Sequence, residues 1–256
     1  MMFRVLEPGL LSTVQAEPRT AAQHLGVSAG GPMDRLSHRA ANRLVGNPTE
    51  CATLEVTLAG PTLEVLLDGV IALTGAAFPV TLEGEAFPWG RPVRVGRGTE
   101  LRLGSPERGC RAYLAVQGGI SVPQVLGSRA TDLRGRFGGH RGRALQAGDV
   151  LYRGGGMDRF PWLQLRGRAT WVAGSGDGLP IAPALDGPAV LRLVPGAHLH
   201  ELSAQARKTL LDATYTVSPR SDRQGLRLLG PPLALGGSVE LLTEGVAFGT
   251  LQLPPD

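Results

Sequence analysis

Five arginines, Arg129, Arg134, Arg136, Arg141 and Arg143, stand within fifteen residues against a single acid, Asp132, with four glycines among them. Their local excess equals the net charge of +4 carried by the whole chain. A guanidinium is a rigid planar fork that meets carboxylate or phosphate oxygens two bonds at a time. Glycine lets backbone N–H groups approach the same anion closely. The chemistry this segment suits is recognition of a small oxyanion. On composition alone a solvated, arginine-rich surface loop accounts for the run as well.

A second set of candidates lies on one helix. The run DRLSHRAANRLV (34–45) has Asp34 as a suitable N-cap, and Gly46 and Pro48 provide its stop. Leu36, Ala40 and Leu44 recur at helical spacing and are expected to form the core stripe, with Val45 beside them. Asp34, His38 and Asn42 recur at the same spacing on the opposite side. They supply a carboxylate, a group that titrates near neutrality and an amide. Such a line is either an ordinary solvated face or one wall of a site. Further along, Asp222 and Arg223 in SPRSDRQGLRLLGPPL (218–233) either hold each other or leave Arg223 or Arg227 for a substrate carboxylate. A bidentate contact of that kind is worth about 1.5–3 kcal/mol.

Several chemistries lack their residues. Of 26 basic residues only Lys208 is a lysine, so no Gly-Lys-Ser/Thr phosphate loop exists. Lys208 has no Met-Lys-Met surroundings, which makes it a poor biotin attachment site. The five histidines include His198-x-His200, but no cysteine or acid cluster completes a ligand set, and no metal site is expected. No Gly-x-Ser-x-Gly elbow is present.

The elements that must position these residues read mostly as strands. Residues 2–6 and 12–16 are divided by Pro8-Gly9. From 52 to 116 seven runs follow (ATLEVTL, TLEVLL, VIALTG, FPVTLEG, RPVRVG, TELRLG, CRAYLAV), each short and bounded by Gly or Pro. That spacing without intervening helices predicts a closed or nearly closed β-barrel, with GDVLY (148–152) as its last strand. Residues 153–188 turn rich in Gly, Pro and Asp, with only WLQL and ATWVA strand-like. Beyond them AVLRLVPG, ATYTVS, RLLG, SVELL and AFGTLQL read as strands and HELSAQARKTLLD as a helix. The expected organisation is a barrel domain over 1–155, a connecting segment over 156–188 and a smaller α+β domain over 189–256.

Composition fits a globular chain: 42 % hydrophobic, 19 % charged, mean hydropathy +0.02. With 37 glycines and 20 prolines the chain has many turns. A pI of about 9.7 favours anionic ligands, but only 5 % of residues are aromatic and no nucleic-acid recognition motif occurs. No apolar run suits a membrane helix or follows a basic start as in a signal peptide, so the expectation is a cytoplasmic protein. Cys51 and Cys110 are expected to be buried free thiols.

A resemblance adds to this reading. Tyr-Leu-Ala-Val-x-Gly-Gly-Ile (113–120), Val-Pro-x-Val-Leu-Gly-Ser-Arg-Ala-Thr-Asp (122–132) and Gly-Gly-x-x-Gly-Arg-Ala-Leu-x-x-Gly-Asp (138–149) are similar to segments of the C-type subunit of bacterial 5-oxoprolinase. The same family includes allophanate hydrolase subunit 2 and the carboxyltransferase part of urea carboxylase. The helix segment Gly-Pro-Met-Asp-x-x-Ser-His-Arg-x-Ala-Asn-x-Leu-Val-Gly-Asn (31–47), followed by Leu54-Glu55, matches too. So do Ser-Asp-Arg-x-Gly-x-Arg-Leu-x-Gly-Pro (221–231), with Gln224 where methionine is usual, and Glu-Gly-x-x-x-Gly-x-Leu-Gln-Leu-Pro-Pro-Asp (244–256). Family members continue with a Gly-x-Pro-Ile strand and a Thr-x-Gly-Gly-Tyr-Pro segment, which this sequence lacks.

The resemblance implies a cyclophilin-like β-barrel followed by a smaller α+β domain. It implies one component of a heteromeric, ATP-dependent 5-oxoprolinase, inactive alone. With a B-type partner it would activate the lactam carbonyl of 5-oxoproline, and an A-type lactam hydrolase would open the ring to glutamate. On this reading Arg129, Thr131, Arg141 and Arg143 bind phosphate or carboxylate, and Asp132 holds an arginine in place. His38 and Asn42, with Asp34 on the same face, orient the carbonyl, while Asp222, Arg223, Glu244 and Gln252 contact substrate. Two other family roles stand beside it. One is biotin-dependent carboxyl transfer to urea-like amides, with biotin carried by a partner. The other is non-catalytic antagonism of a histidine-kinase inhibitor.

Overall fold

The computed structural model describes residues 1–155, 187–237 and 245–254. The chain divides into two compact units, Met1–Pro183 and Ala184–Asp256. In the first unit two antiparallel sheets form. Strands β1 (Phe3–Glu7) and β2 (Leu11–Gln15) are joined by the Pro8-Gly9 turn. Gly9 has φ +71° and an added Cβ would fall 2.4 Å from the Ala59 carbonyl oxygen, so only glycine fits there. Helix α1 (Arg35–Leu44) follows, then β3 (Thr53–Thr57), β4 (Thr62–Val65), β5 (Gly69–Gly75), β6 (Val80–Leu82), β7 (Glu85–Ala86) and β8 (Pro92–Val95). The unit continues with β9 (Glu100–Leu103), β10 (Arg111–Val116), β11 (Ile120–Ser121) and β12 (Val150–Arg153).

One sheet runs β11-β12-β1-β4-β9-β6-β7 and the other β2-β3-β10-β5-β8. The expected closed barrel is therefore corrected to two open sheets: among the described residues no pairing joins their edge strands. Short strands between Gly and Pro turns fit either architecture, because the pattern gives strand length but not which edges meet. The expected strand positions agree within a residue or two, whereas β7 and β11, each two residues long, have too little pattern to read.

Side chains alternate along each strand, so every strand offers one row to the space between the sheets. Phe3, Val5, Leu63, Val65, Leu101 and Leu103 from the first sheet meet Leu54, Val56, Ile71, Leu73, Leu114 and Val116 from the second in one buried cluster. Each such side chain contributes about 1.5–3 kcal/mol through burial. The other face of the five-stranded sheet is covered by α1, where Ala41 and Val45 pack on Val70, Ala72, Tyr113 and Ala115.

In the second unit α2 (Ala204–Asp212) is capped by Ser203, whose hydroxyl accepts from Ala206 N at 3.1 Å. Strands β13 (Thr216–Val217) and β14 (Leu228–Leu229) pair antiparallel. Two expected strands do not form. AVLRLVPG carries no strand, with Val190 and Val194 at 92 % and 89 % exposure, and neither does AFGTLQL. A strand exists only through its ladder, and no described neighbour offers one to either segment. The expected strands WLQL, ATWVA and SVELL, and nearly all of the expected connecting segment, lie outside the described residues. Both cysteines are free, as expected, but Cys51 is half-buried and Cys110 exposed rather than buried.

Candidate functional site

Helix α1 buries polar and apolar side chains together. Of the expected core stripe Ala40 and Val45 are buried, whereas Leu36 is 75 % exposed and Leu44 only half-buried, and His38 and Asn42 are fully buried in their place. The reason lies in the sheet beneath. Thr13, Glu55, Tyr113 and Thr74 stand in one register row across β2, β3, β10 and β5, so the helix faces hydrogen-bonding groups. Periodicity locates two opposite faces but does not say which one the sheet will accept.

The contacts across this layer are specific. Asp34 caps the helix, its carboxylate accepting from Ser37 N at 3.0 Å. The Glu55 carboxylate accepts from Met33 N at 2.9 Å and from the Tyr113 hydroxyl at 2.8 Å, and Asp34 N donates to Tyr113 Oη at 2.7 Å. Burial pushes the Tyr113 hydroxyl well above the ordinary phenol range. His38 has Nε2 3.0 Å from Thr49 O and Nδ1 2.8 Å from Thr53 Oγ1. A carbonyl only accepts, so Nε2 carries the proton and Nδ1 accepts from the threonine hydroxyl. Desolvation lowers the imidazole pKa and keeps the ring neutral.

Asn42 extends the network toward a turn. It donates to Cys51 O at 2.8 Å and accepts from Asn47 at 2.9 Å. Asn47 in turn holds Val116 O and Gly118 N at 2.8 and 2.7 Å. The buried face of α1 thereby fixes the Gly118-Gly119 turn that leads into β11. Neither His38 nor Asn42 reaches open space; both act on neighbouring backbone.

The arginine segment is positioned by β2. Thr131 is buried and donates from N and Oγ1 to Val14 O at 3.0 and 2.8 Å. Asp132 accepts from Gly135 N at 2.8 Å and its backbone pairs with Phe137, making a tight hairpin. Gly139 must be glycine: an added Cβ would lie 1.8 Å from Thr131 Oγ1. Under this hairpin sits Arg19, 1 % exposed. It donates to Ala130 O, and its guanidinium stacks 4.8 Å over Phe137. Desolvation lowers its pKa, opposed by the charge of Asp132. No sequence pattern singles out Arg19, which is a lone basic residue in a loop.

The five guanidiniums do not converge. Arg143 spends both terminal nitrogens on Asp149, at 2.7 and 2.8 Å, and Gln146 N adds a contact to the same carboxylate at 2.8 Å. These bonds, Arg143 first, hold the Asp149 carboxyl far below the usual range. Arg129 is exposed, near enough to Cys51 to oppose the rise that burial imposes on that thiol. Arg134 and Arg136 are also exposed. Arg141 alone of the five lines a cleft of about 630 Å³, together with Val122, Val125, Phe137, His140 and Tyr152. Its φ of 58° places a non-glycine residue in the left-handed region, a conformation that costs about 1–2 kcal/mol.

The remaining candidates belong to the second unit. Asp222 accepts from Gln224 N and Gly225 N at 2.7 and 3.1 Å and so closes a turn of its own. Arg223 is half-buried, and desolvation pushes its guanidinium down to about 10. Gln252 is exposed, and Glu244 lies outside the described residues. Among the described residues no group of three or more His, Cys, Asp or Glu side chains could hold a metal ion, and no helix is long and apolar enough to cross a membrane.

Residues 25–256 match the family model of the carboxyltransferase domain, subdomain A and B. The chain belongs to this family. It is 34 % identical to the C-type subunit of 5-oxoprolinase from Escherichia coli over 255 residues, which covers 99 % of the chain and 76 % of that protein. Urea amidolyase of Saccharomyces cerevisiae is 45 % identical over 146 residues, but the match covers 57 % of this chain and only 8 % of that much longer relative. Among solved structures, TTHA0988 superposes with a TM-score of 0.76 at 38 % identity, covering 91 % of this chain and 80 % of that one. The Kluyveromyces lactis urea amidolyase superposes with a TM-score of 0.75 at 34 % identity, covering 91 % and 14 %.

Proposed function

We propose that this family member is the C-type component of an ATP-dependent 5-oxoprolinase. A B-type partner would help it activate the lactam carbonyl of 5-oxoproline, and an A-type hydrolase would complete ring opening. The observation that carries the reading is the similarity to the C-type 5-oxoprolinase polypeptide over 99 % of the chain. The cleft supports it with a cationic group suited to an anionic substrate: Arg141 lines the cavity and makes no ion pair among the described residues. In a pocket that excludes water, such a group stabilises charge developing on a carbonyl or phosphoryl oxygen. His38 and Asn42 act from behind, by holding the Thr49–Cys51 segment and, through Asn47, the turn before β11. ATP would be shared with the B-type partner.

The test is reconstitution. The chain alone should hydrolyse no ATP with 5-oxoproline, and should do so when its B-type and A-type partners are added. Turnover by the lone chain would overturn the heteromeric reading, and no turnover by the full mixture would overturn the substrate. The stronger identity to urea amidolyase over 146 residues favours a second reading, biotin-dependent carboxyl transfer to a urea-like amide. Urea-dependent consumption of carboxybiotin supplied on a partner protein would select it.

A further inference from the structure

We propose that Arg19 is a positioning residue of the cleft: its buried guanidinium holds the Phe137–Gly138 wall from behind and sets where a ligand can sit. Phe137 and Gly138 both line the cleft. The guanidinium stacks over the Phe137 ring at 4.8 Å and donates to Ala130 O. Gly138 closes on the same group, since an added Cβ there would fall 2.9 Å from Arg19 Nη2 and 2.3 Å from Ala130 O. One side chain therefore touches both arms of the hairpin that Asp132 and Phe137 pair to form.

Arg19 is itself fixed from the opposite side. Its backbone N–H donates to Ala29 O at 2.8 Å, and two residues earlier Glu17 O accepts from Ser128 Oγ at 2.6 Å. Gly30 lies against Nη1, where an added Cβ would stand 2.9 Å away. The arrangement is costly to the fold. Arg19 is 1 % exposed, makes no ion pair among the described residues, and its Nε and Nη1 meet no hydrogen-bond partner among them. A buried charge with unmet N–H groups lowers stability, and an apolar side chain of similar volume in its place is often neutral or stabilising. Fold stability is thus a poor reason for an arginine at this point, and the cleft supplies a better one. A cation held on a ring face restrains the tilt of that ring, and the bond to Ala130 O restrains the other arm. A small displacement of a wall that orients a ligand is enough to impair its reaction.

This inference rests on the functional reading and deepens it by assigning a residue that shapes the substrate side of the cleft. Arg19→Met and Phe137→Leu are made singly and together in the full chain. Each is assayed with the B-type and A-type partners for 5-oxoproline-dependent ATP hydrolysis. Arg19→Met should raise the KM for 5-oxoproline about tenfold and leave that for ATP within about twofold. It should melt at the parent temperature or above. In the Phe137→Leu background the same substitution should change KM by less than about twofold, because the ring through which it acts is gone. Amide exchange of the Arg19→Met chain alone should accelerate at Asp132, Phe137 and Gly142, whose N–H groups close the hairpin and the loop after it, and stay unchanged along β4 and β9. A melting temperature well below the parent's, equal rises in both KM values, or additive effects in the double variant would make Arg19 an ordinary framework residue and overturn its positioning role. Unchanged exchange at the three amides would remove the clamp itself. A parent mixture without turnover removes the functional reading, and the exchange pattern then decides the clamp by itself.

Discussion

Arg143 meets Asp149 with two parallel hydrogen bonds of 2.7 and 2.8 Å, and this pair closes the loop whose tip carries His140 and Arg141. The carboxylate is buried, so removing the arginine leaves it short of donors, at a cost of about 1.5–3 kcal/mol. Arg143→Ala is expected to destabilise by that amount, and Arg143→Lys, which cannot reproduce the fork, by somewhat less. Because the folded carboxyl titrates far below its unfolded value, the contribution is complete above about pH 4 and fades on acidification. Urea unfolding at pH 7 and pH 3 checks both points: the gap between parent and Arg143→Ala should narrow at the lower pH.

Tyr113 links Glu55 to the first turn of α1, accepting from Asp34 N while donating to the carboxylate. In Tyr113→Phe the ring still packs against Ala41 and Val45, but Asp34 N and Glu55 each lose a partner in a buried setting. A loss of about 1–3 kcal/mol is expected from denaturant unfolding. Amide exchange should accelerate first at the start of α1. Uniform acceleration across the sheet would mean that the hydroxyl does not act locally.

Much of this layer is legible in the sequence, and one part is not. Strand positions follow from period-two runs between Gly and Pro, and the Asp34 cap and Gly46 stop of α1 follow from side-chain chemistry. The orientation of α1 does not follow. Leu36 looks like a core residue from spacing alone, but the surface that α1 meets combines Val70, Ala72 and Ala115 with the row Thr13, Glu55, Tyr113 and Thr74, drawn from four strands distant in the chain. The arginine run similarly locates the loop without giving the role of each arginine. The Arg143–Asp149 pair spans six residues and is recognisable in retrospect, whereas Arg19 reaches Ala130 across more than a hundred.

His38 is neutral in the fold because burial opposes its charged form. Unfolding releases an ordinary imidazole with a pKa near 6.5, so below that value the unfolded chain binds a proton that the folded chain refuses. Stability from this residue is present above about pH 6.5 and is lost as pH falls toward the lowered folded value. His38→Gln, which keeps one hydrogen bond of the two, is expected to be less stable at pH 7.5. It should also show a shallower decline between pH 7 and 5. Parallel curves for the two proteins across this interval would show that burial does not hinder protonation of the ring in the fold.

Arg141 occupies a left-handed conformation that glycine adopts without strain, at a position where the side chain points into the cleft rather than the core. Arg141→Gly removes that strain, worth about 1–2 kcal/mol, while giving the unfolded chain more freedom, which offsets up to about 1 kcal/mol. The expected variant is therefore as stable as the parent or more so, yet defective in anion binding and in reconstituted turnover. Thermal unfolding alongside 5-oxoproline-dependent ATP hydrolysis separates the two effects. A variant that loses stability and activity together would make Arg141 part of the loop's framework, and one that gains stability with full activity would leave the strained residue without a function in the cleft.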